Sequence, residues 1–191
     1  MNFRRTEIEE VIIIEPQVYG DERGYFLETF RADKLEKFLG YKINFCQDNE
    51  SKSFRGVLRG LHYQLAPAAQ TKLVRVIRGS VLDIAVDIRK GSPTFGKHIS
   101  VVLTGENKHQ LLVPRGFAHG FVVLEDDTVF AYKVDNFYSP ENDRGILFSD
   151  ESLGIDWKVL HNELNLSEKD KLQPKLVETQ DIFEYGVNYY N

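Results

Sequence analysis

The stretch Val81-Leu82-Asp83-Ile84-Ala85-Val86-Asp87-Ile88 sets Leu82, Ile84, Val86 and Ile88 at every second position against Val81, Asp83, Ala85 and Asp87. Side chains of an extended chain alternate between two faces, so this period predicts a half-buried strand. Short runs of the same kind fill the middle of the chain. Turn residues separate them at Gly79, Gly91-Ser92-Pro93, Gly105, Pro114 to Gly116, Asp126-Asp127 and Pro140. That spacing of roughly a dozen residues favours a sandwich or barrel, and the expected class is all-β. Helical patterning is confined to residues 33–39, where Leu35, Phe38 and Leu39 form an apolar stripe closed by Gly40, and to short pieces after Ser152 and Ser167.

With 191 residues, 42% of them hydrophobic, the chain can bury a substantial core and is expected to form one domain over residues 1–191. No linker, repeat or low-complexity segment interrupts it, and the aromatic tail, residues 183–190, carries enough apolar surface to dock on the body. Twenty-nine acidic against twenty-four basic residues give a net charge of −5. That balance disfavours nucleic-acid polymers and anionic membrane surfaces as partners. Cys46 is the only cysteine, which leaves no internal disulfide or thiolate metal cluster, and Met1-Asn2-Phe3-Arg4-Arg5 lacks the apolar stretch of a signal peptide. The expected compartment is the cytoplasm.

Chemistry concentrates in Gly56-Val57-Leu58-Arg59-Gly60-Leu61-His62-Tyr63-Gln64, where a guanidinium, an imidazole and an amide sit on one apolar, glycine-punctuated strand. A second histidine, His119, lies in Pro114-Arg115-Gly116-Phe117-Ala118-His119-Gly120-Phe121, and two strand-borne histidines suggest one shared pocket. Strand parity places His62 and Gln64 on one face and Arg59 on the other. Gly60 offers a remedy: a bulge there, or a strand beginning after Arg59, resets the direction without steric cost. Phe130, Tyr132 and Val134 share a face, so Tyr132 should point inward with a hydroxyl in need of a partner. On its own, Tyr132 reads as an ordinary core tyrosine and His62 as a structural histidine.

At these residues the chain resembles the dTDP-4-dehydrorhamnose 3,5-epimerase family, nucleotide-sugar epimerases of the cupin-like jelly-roll group. The resemblance runs through most of the chain. It is carried by Asp21-Glu22-Arg23-Gly24-Tyr25-Phe26-Leu27-Glu28, Gln47-Asp48-Asn49-Glu50-Ser51, the run from Gly56 to Gln64, and Gln70-Thr71-Lys72-Leu73-Val74-Arg75-Val76. Further matches are Pro114 to Phe121, Tyr138-Ser139-Pro140-Glu141 and Leu166-Ser167-Glu168-Lys169-Asp170.

The resemblance implies a jelly roll with a few short peripheral helices that epimerises C3 and C5 of dTDP-4-dehydro-6-deoxy-D-glucose to dTDP-4-dehydro-L-rhamnose without a cofactor or metal. The C4 ketone acidifies the hydrogens at C3 and C5, so inversion needs a base, an enolate stabiliser and an acid on the far face. By resemblance His62 is the base, and an imidazole suits the task because its ordinary pKa of about 6.5 lies near working pH. Asp170 orients it, much as an aspartate does in a hydrolytic triad. Tyr132 is the opposing acid, and Lys72 sets an ammonium at the enolate oxygen. Arg23 and Arg59 match diphosphate-gripping positions, where guanidinium forks suit phosphate oxygens. Glu28, Gln47 and Asn49 match nucleoside contacts, Tyr138 a stacking surface for thymine, and His119 and Lys169 further substrate contacts. Asp143 stands where the family often has glutamate, a shorter carboxylate with a different reach. The resemblance further implies a homodimer whose amino-terminal strands, around Arg23 to Glu28, cross to the partner, and a role in supplying activated rhamnose for bacterial surface polysaccharide.

Three rivals stand beside this reading. A metal-dependent cupin oxygenase would set several histidines and a carboxylate around one metal. Here Gln64 stands two residues beyond His62, and His98, His109 and His161 sit in polar, turn-like contexts. A non-catalytic nucleotide-sugar binding protein would be expected to have lost at least one of His62, Lys72, Tyr132 and Asp170. An epimerase acting at C3 alone or C5 alone would keep all four.

Overall fold

The computed structural model describes residues 1–190. Fifteen strands carry the architecture: β1 (Asn2–Arg5), β2 (Ile12–Glu15), β3 (Val18–Asp21), β4 (Gly24–Leu27), β5 (Gln47–Ser53), β6 (Leu58–Gln64), β7 (Lys72–Arg78), β8 (Ser80–Asp87), β9 (Arg89–Lys90), β10 (His98–Thr104), β11 (Gln110–Val113), β12 (Phe117–Val123), β13 (Thr128–Val134), β14 (Asp143–Gly145) and β15 (Phe183–Glu184). Six of them form one antiparallel sheet in the order β1-β2-β11-β7-β13-β5, and five form a second in the order β10-β8-β12-β6-β14. Few neighbours in either sheet are consecutive in sequence. The chain therefore passes back and forth between the sheets, and the expected jelly roll is what forms. The helices are accessories, as the sequence predicts: α1 (Ala32–Leu39) and α2 (Glu168–Lys171), with three single 3-10 turns.

The inner faces of the two sheets share a core in which Val74, Val76, Leu111 and Phe130 of the first meet Val81, Ala85, Phe117 and Phe121 of the second. A second core lies on the outer face of the five-stranded sheet. There Leu82, Ile84, Val86 and Ile88 pack under Phe148, Leu153, Trp157, Leu176 and Phe183 of the carboxy-terminal segment. This changes the reading of β8. All eight of its residues are buried, because the carboxy-terminal segment covers the face of Leu82, Ile84 and Val86, while the face that carries Asp83 and Asp87 with Val81 and Ala85 looks into the core between the sheets. Asp83 and Asp87 are consequently interior carboxylates. Asp87 accepts bonds from Arg89 (2.9 and 2.7 Å), Ser92 (2.6 Å) and Thr94 (2.6 Å), enough to satisfy it in place of water.

The local expectations hold at α1, which ends at Gly40 with φ +81° and a bond from the Gly40 amide to the Glu36 carbonyl. Its apolar stripe rests on the outer side of the six-stranded sheet through Leu35, with Phe38 stacked on Phe3. The aromatic tail docks as anticipated: Phe183 enters the core and the Tyr190 hydroxyl lies 3.0 Å from that of Thr71. The hairpin of β3 and β4 is different. Tyr19, Tyr25 and Phe26 on it are exposed, and its strands hydrogen-bond only to each other.

Candidate active site

A cavity of about 620 Å³ opens between the two sheets, and both lend it side chains. From the five-stranded sheet come Arg59, His62, His119 and Phe121. The six-stranded sheet supplies Asn49, Ser51, Lys72, Phe130 and Tyr132, the segment leading into α2 adds Asn165 and Ser167, and α2 itself adds Lys169 and Asp170.

Gly60 is the reason Arg59 and His62 meet there. On β12 His119 pairs with His62 and Phe121 with Arg59, so Gly60 and Leu61 oppose the single residue Gly120, which is a β-bulge. Gly60 has φ +135°, and a Cβ on it would lie 2.5 Å from the Gly120 Cα and 2.9 Å from the His119 carbonyl oxygen. Only glycine fits that approach. The bulge reverses the parity and turns the guanidinium into the cavity, where Arg59 bonds the Ser53 hydroxyl at 3.3 Å.

His62 Nε2 lies 2.5 Å from Asp170 Oδ1, across 108 residues of sequence. Asp170 is placed by the first turn of α2, where its amide donates to the Ser167 side chain at 3.2 Å, so the helix cap and the dyad are one device. Burial works to raise the Asp170 carboxyl, but the bond and charge of His62, together with Ser167 and Lys169, outweigh it and hold the group below the ordinary carboxylate value. Lys72 reaches the His62 carbonyl oxygen at 3.4 Å. Burial strips water from its ammonium and pushes its pKa down to about 8, with Asp143 and Asp83 pulling the other way and Lys169 adding to the fall. Tyr132 faces inward with Phe130, and its hydroxyl makes no hydrogen bond to another described residue. Burial raises its pKa, partly offset by Arg59, so the phenol keeps its proton at neutral pH.

The remaining predicted residues lie at or beyond the rim. Gln47 donates to Asn49 Oδ1 at 2.8 Å, behind the cavity wall. Asp143 accepts from Tyr138 at 3.0 Å and pairs closely with Lys169, a cluster at the mouth. Arg23 and Glu28 are not brought to this cavity. Arg23 sits at the tip of the exposed hairpin in a 2.5 Å pair with Asp21, and Glu28 pairs with Arg31 and Lys34. Gln64 is wholly engaged in holding a loop, donating to the Ala68 and Phe137 carbonyls and accepting from the Ser139 amide.

Two residues escaped the sequence reading. Ser51 Oγ is buried in the cavity wall without a hydrogen-bond partner, alone in that respect among buried side-chain polar atoms of the described residues. Pairing of Ser51 with Phe130 across β5 and β13 was the signal available, since Phe130 is a core residue. Asp83 binds His119 Nε2 at 2.9 and 3.1 Å, and its burial on an apolar strand was the hint. Among the described residues no three histidine, cysteine, aspartate or glutamate side chains converge as metal ligands would.

Residues 5–178 match the sequence profile of the dTDP-4-dehydrorhamnose 3,5-epimerases. A dTDP-4-dehydrorhamnose 3,5-epimerase of Shigella flexneri is 57% identical over 178 residues, 93% of this chain and 97% of that protein. The crystal structure of a dTDP-6-deoxy-D-glucose-3,5-epimerase from Legionella pneumophila Philadelphia 1, in complex with dTDP-4-keto-L-rhamnose, superposes with a TM-score of 0.93 at 48% identity, covering 97% of this chain and 99% of the other. A 3'-monoepimerase from Streptomyces bikiniensis in complex with dTDP-quinovose superposes at 0.84 with 32% identity, covering 91% and 87%. The likeness runs along nearly the whole sequence, and this chain, whose bulged jelly roll gathers an imidazole, a phenol and an ammonium in one cavity, belongs to the dTDP-4-dehydrorhamnose 3,5-epimerase family.

Proposed function

We propose that His62 removes the proton at C3 and C5 of dTDP-4-dehydro-6-deoxy-D-glucose and that Tyr132 returns one on the opposite face, yielding dTDP-4-dehydro-L-rhamnose for dTDP-L-rhamnose biosynthesis. The enzyme is an isomerase, and its substrate is a dTDP-linked keto-sugar. The observation that carries the assignment is the placement of His62 and Tyr132 on opposing sheets that wall one cavity. A hexose between the sheets is addressed from both faces. As His62 takes up a proton, Asp170 stabilises the imidazolium and fixes its ring. Lys72 neutralises the enolate oxygen at a site where fixed charge counts for far more than in water. Arg59 draws in the diphosphate, while Gln47, Asn49, Tyr138, Asp143, His119 and Lys169 contact nucleoside and sugar.

The pocket is completed by a second copy of the chain. Arg23 and Glu28 sit on or beside a hairpin whose Tyr19, Tyr25 and Phe26 are exposed, and such an apolar, unpaired hairpin is stabilised when it lies against another subunit. Light scattering should return twice 22.1 kDa, and a monomer at working concentration would overturn this part. Residues 1–191 act as one domain, and the lone Cys46 thiol suits the reducing cytoplasm.

Incubation in deuterium oxide followed by NMR tests the chemistry. Label is expected at both C3 and C5, and label at one carbon alone would refute double epimerisation. The likeness to a 3'-monoepimerase keeps that second reading in play, because both reactions use the same fold.

A further inference from the structure

We propose that Asp83 is a positioning residue of this site, which holds the His119 ring through both carboxylate oxygens and sets a buried negative charge opposite the Lys72 ammonium. The inference rests on the epimerase reading and adds a second histidine–aspartate pair to it. His119 and His62 are direct register partners on β12 and β6, so the two imidazoles stand side by side on one face. Each is bound through Nε2 to an aspartate. Asp170 serves His62, while Asp83 serves His119 at 2.9 and 3.1 Å.

Asp83 is fully buried, and its strand neighbour on β12 is Phe121, so no water substitutes for the histidine. A buried carboxylate needs partners, and here they are two: the His119 ring and the charge of Lys72. Burial raises the carboxyl's pKa, and those two neighbours oppose the rise. The His119 ring is also clamped by Phe130 from the opposite sheet, stacked with centroids 6.4 Å apart. With its Nε2–H committed to Asp83, the ring offers Nδ1 as an acceptor and cannot turn. The electrostatic link to Lys72 crosses the cavity, since Asp83 lies on the five-stranded sheet and Lys72 on the six-stranded one. Lys72 is otherwise surrounded by Asp143 from β14, Lys169 and Asp170 from α2, His62 from β6, and Arg59 and Tyr132 in the cavity wall. Asp170 is committed to His62, so the anions that sustain the Lys72 charge are Asp143 from the cavity mouth, opposed there by Lys169, and Asp83 from within the fold.

The test compares wild-type enzyme with Asp83→Asn in deuterium wash-in and in the pH profile of kcat/KM. Exchange should fall about 10- to 100-fold, the loss expected for a buried charge-assisted hydrogen bond, with KM changed less than about threefold. The alkaline limb should also move to lower pH, because a Lys72 deprived of Asp83 loses its proton more easily, a displacement that a merely structural role would not produce. Wild-type rate and an unmoved limb in Asp83→Asn would overturn the proposal while leaving the epimerase reading intact. Absence of exchange in the wild type would sink that reading instead. Should Asp83→Asn not fold, nitrogen-15 NMR of wild-type histidines decides: a proton on His119 Nε2 supports the proposal, and a proton on Nδ1 alone overturns it.

Discussion

Replacing Asp170 by asparagine keeps the shape of the side chain and the helix cap, whose donor is the Asp170 backbone amide, and removes only the charge beneath His62. The geometry sets the size of the effect. The Nε2 to Oδ1 distance is 2.5 Å, and the Asp170 side chain is 4% exposed. With His62 as the proposed base, the imidazole gains a proton in the transition state, and the two charge centres then lie about 4 Å apart, worth about 4 kcal/mol at an effective dielectric of about 20. At about 1.36 kcal/mol per tenfold, Asp170→Asn should lower kcat roughly a thousandfold. On the proposed reading substrate is gripped by Arg59 and the cavity rim, so KM should change little. The assay is loss of the C3 and C5 proton signals in deuterium oxide at saturating substrate, with circular dichroism to confirm the fold. A loss of less than tenfold would refute the reasoning, because an imidazolium that does not need its carboxylate cannot be the species formed at the barrier.

Further outcomes follow from the same geometry. Lys72, with a pKa of about 8, should impose a fall in kcat/KM above that pH as the ammonium becomes a neutral amine, and Lys72→Arg should abolish that limb. Between about pH 8 and the ordinary 10.5 the unfolded chain binds the Lys72 proton and the folded chain does not, so folding stability should rise with pH across that window, by up to about 3 kcal/mol in urea titrations. Gly60→Ala should cost about 3 kcal/mol or more in the same measurement, since the new Cβ meets the Gly120 Cα at 2.5 Å at a positive φ. Unchanged stability would mean that the bulge is not tightly packed. Ser51→Ala should leave the free enzyme as stable or more so while raising KM about 2- to 10-fold, the worth of one hydrogen bond, and an unchanged KM would show that Ser51 Oγ does not meet substrate.

Much of this was legible in one dimension because it depends on neighbours in sequence. Alternation in residues 81–88 gives strand, Gly40 ends α1 through its left-handed backbone, Ser167 caps α2, and Gly60 between Arg59 and His62 announces a change of parity. Each follows from backbone sterics or from hydrogen bonds spanning a few residues. The resemblance at His62, Lys72, Tyr132 and Asp170 adds their chemical identity.

Closure of the sheets decided the rest. Alternation along β8 separates two faces but does not say what covers them; the carboxy-terminal segment covers Leu82 and Ile84, and the six-stranded sheet closes over the opposite face and makes Asp83 an interior carboxylate. His62 and Asp170 are 108 residues apart, and Asp83 and His119 are 36 apart. No local propensity encodes such pairs, because the energy that joins them is released only when two sheets exclude water from between them. Residue types and strand parity were therefore written in the sequence, while which charge faces which ring was settled by tertiary burial alone.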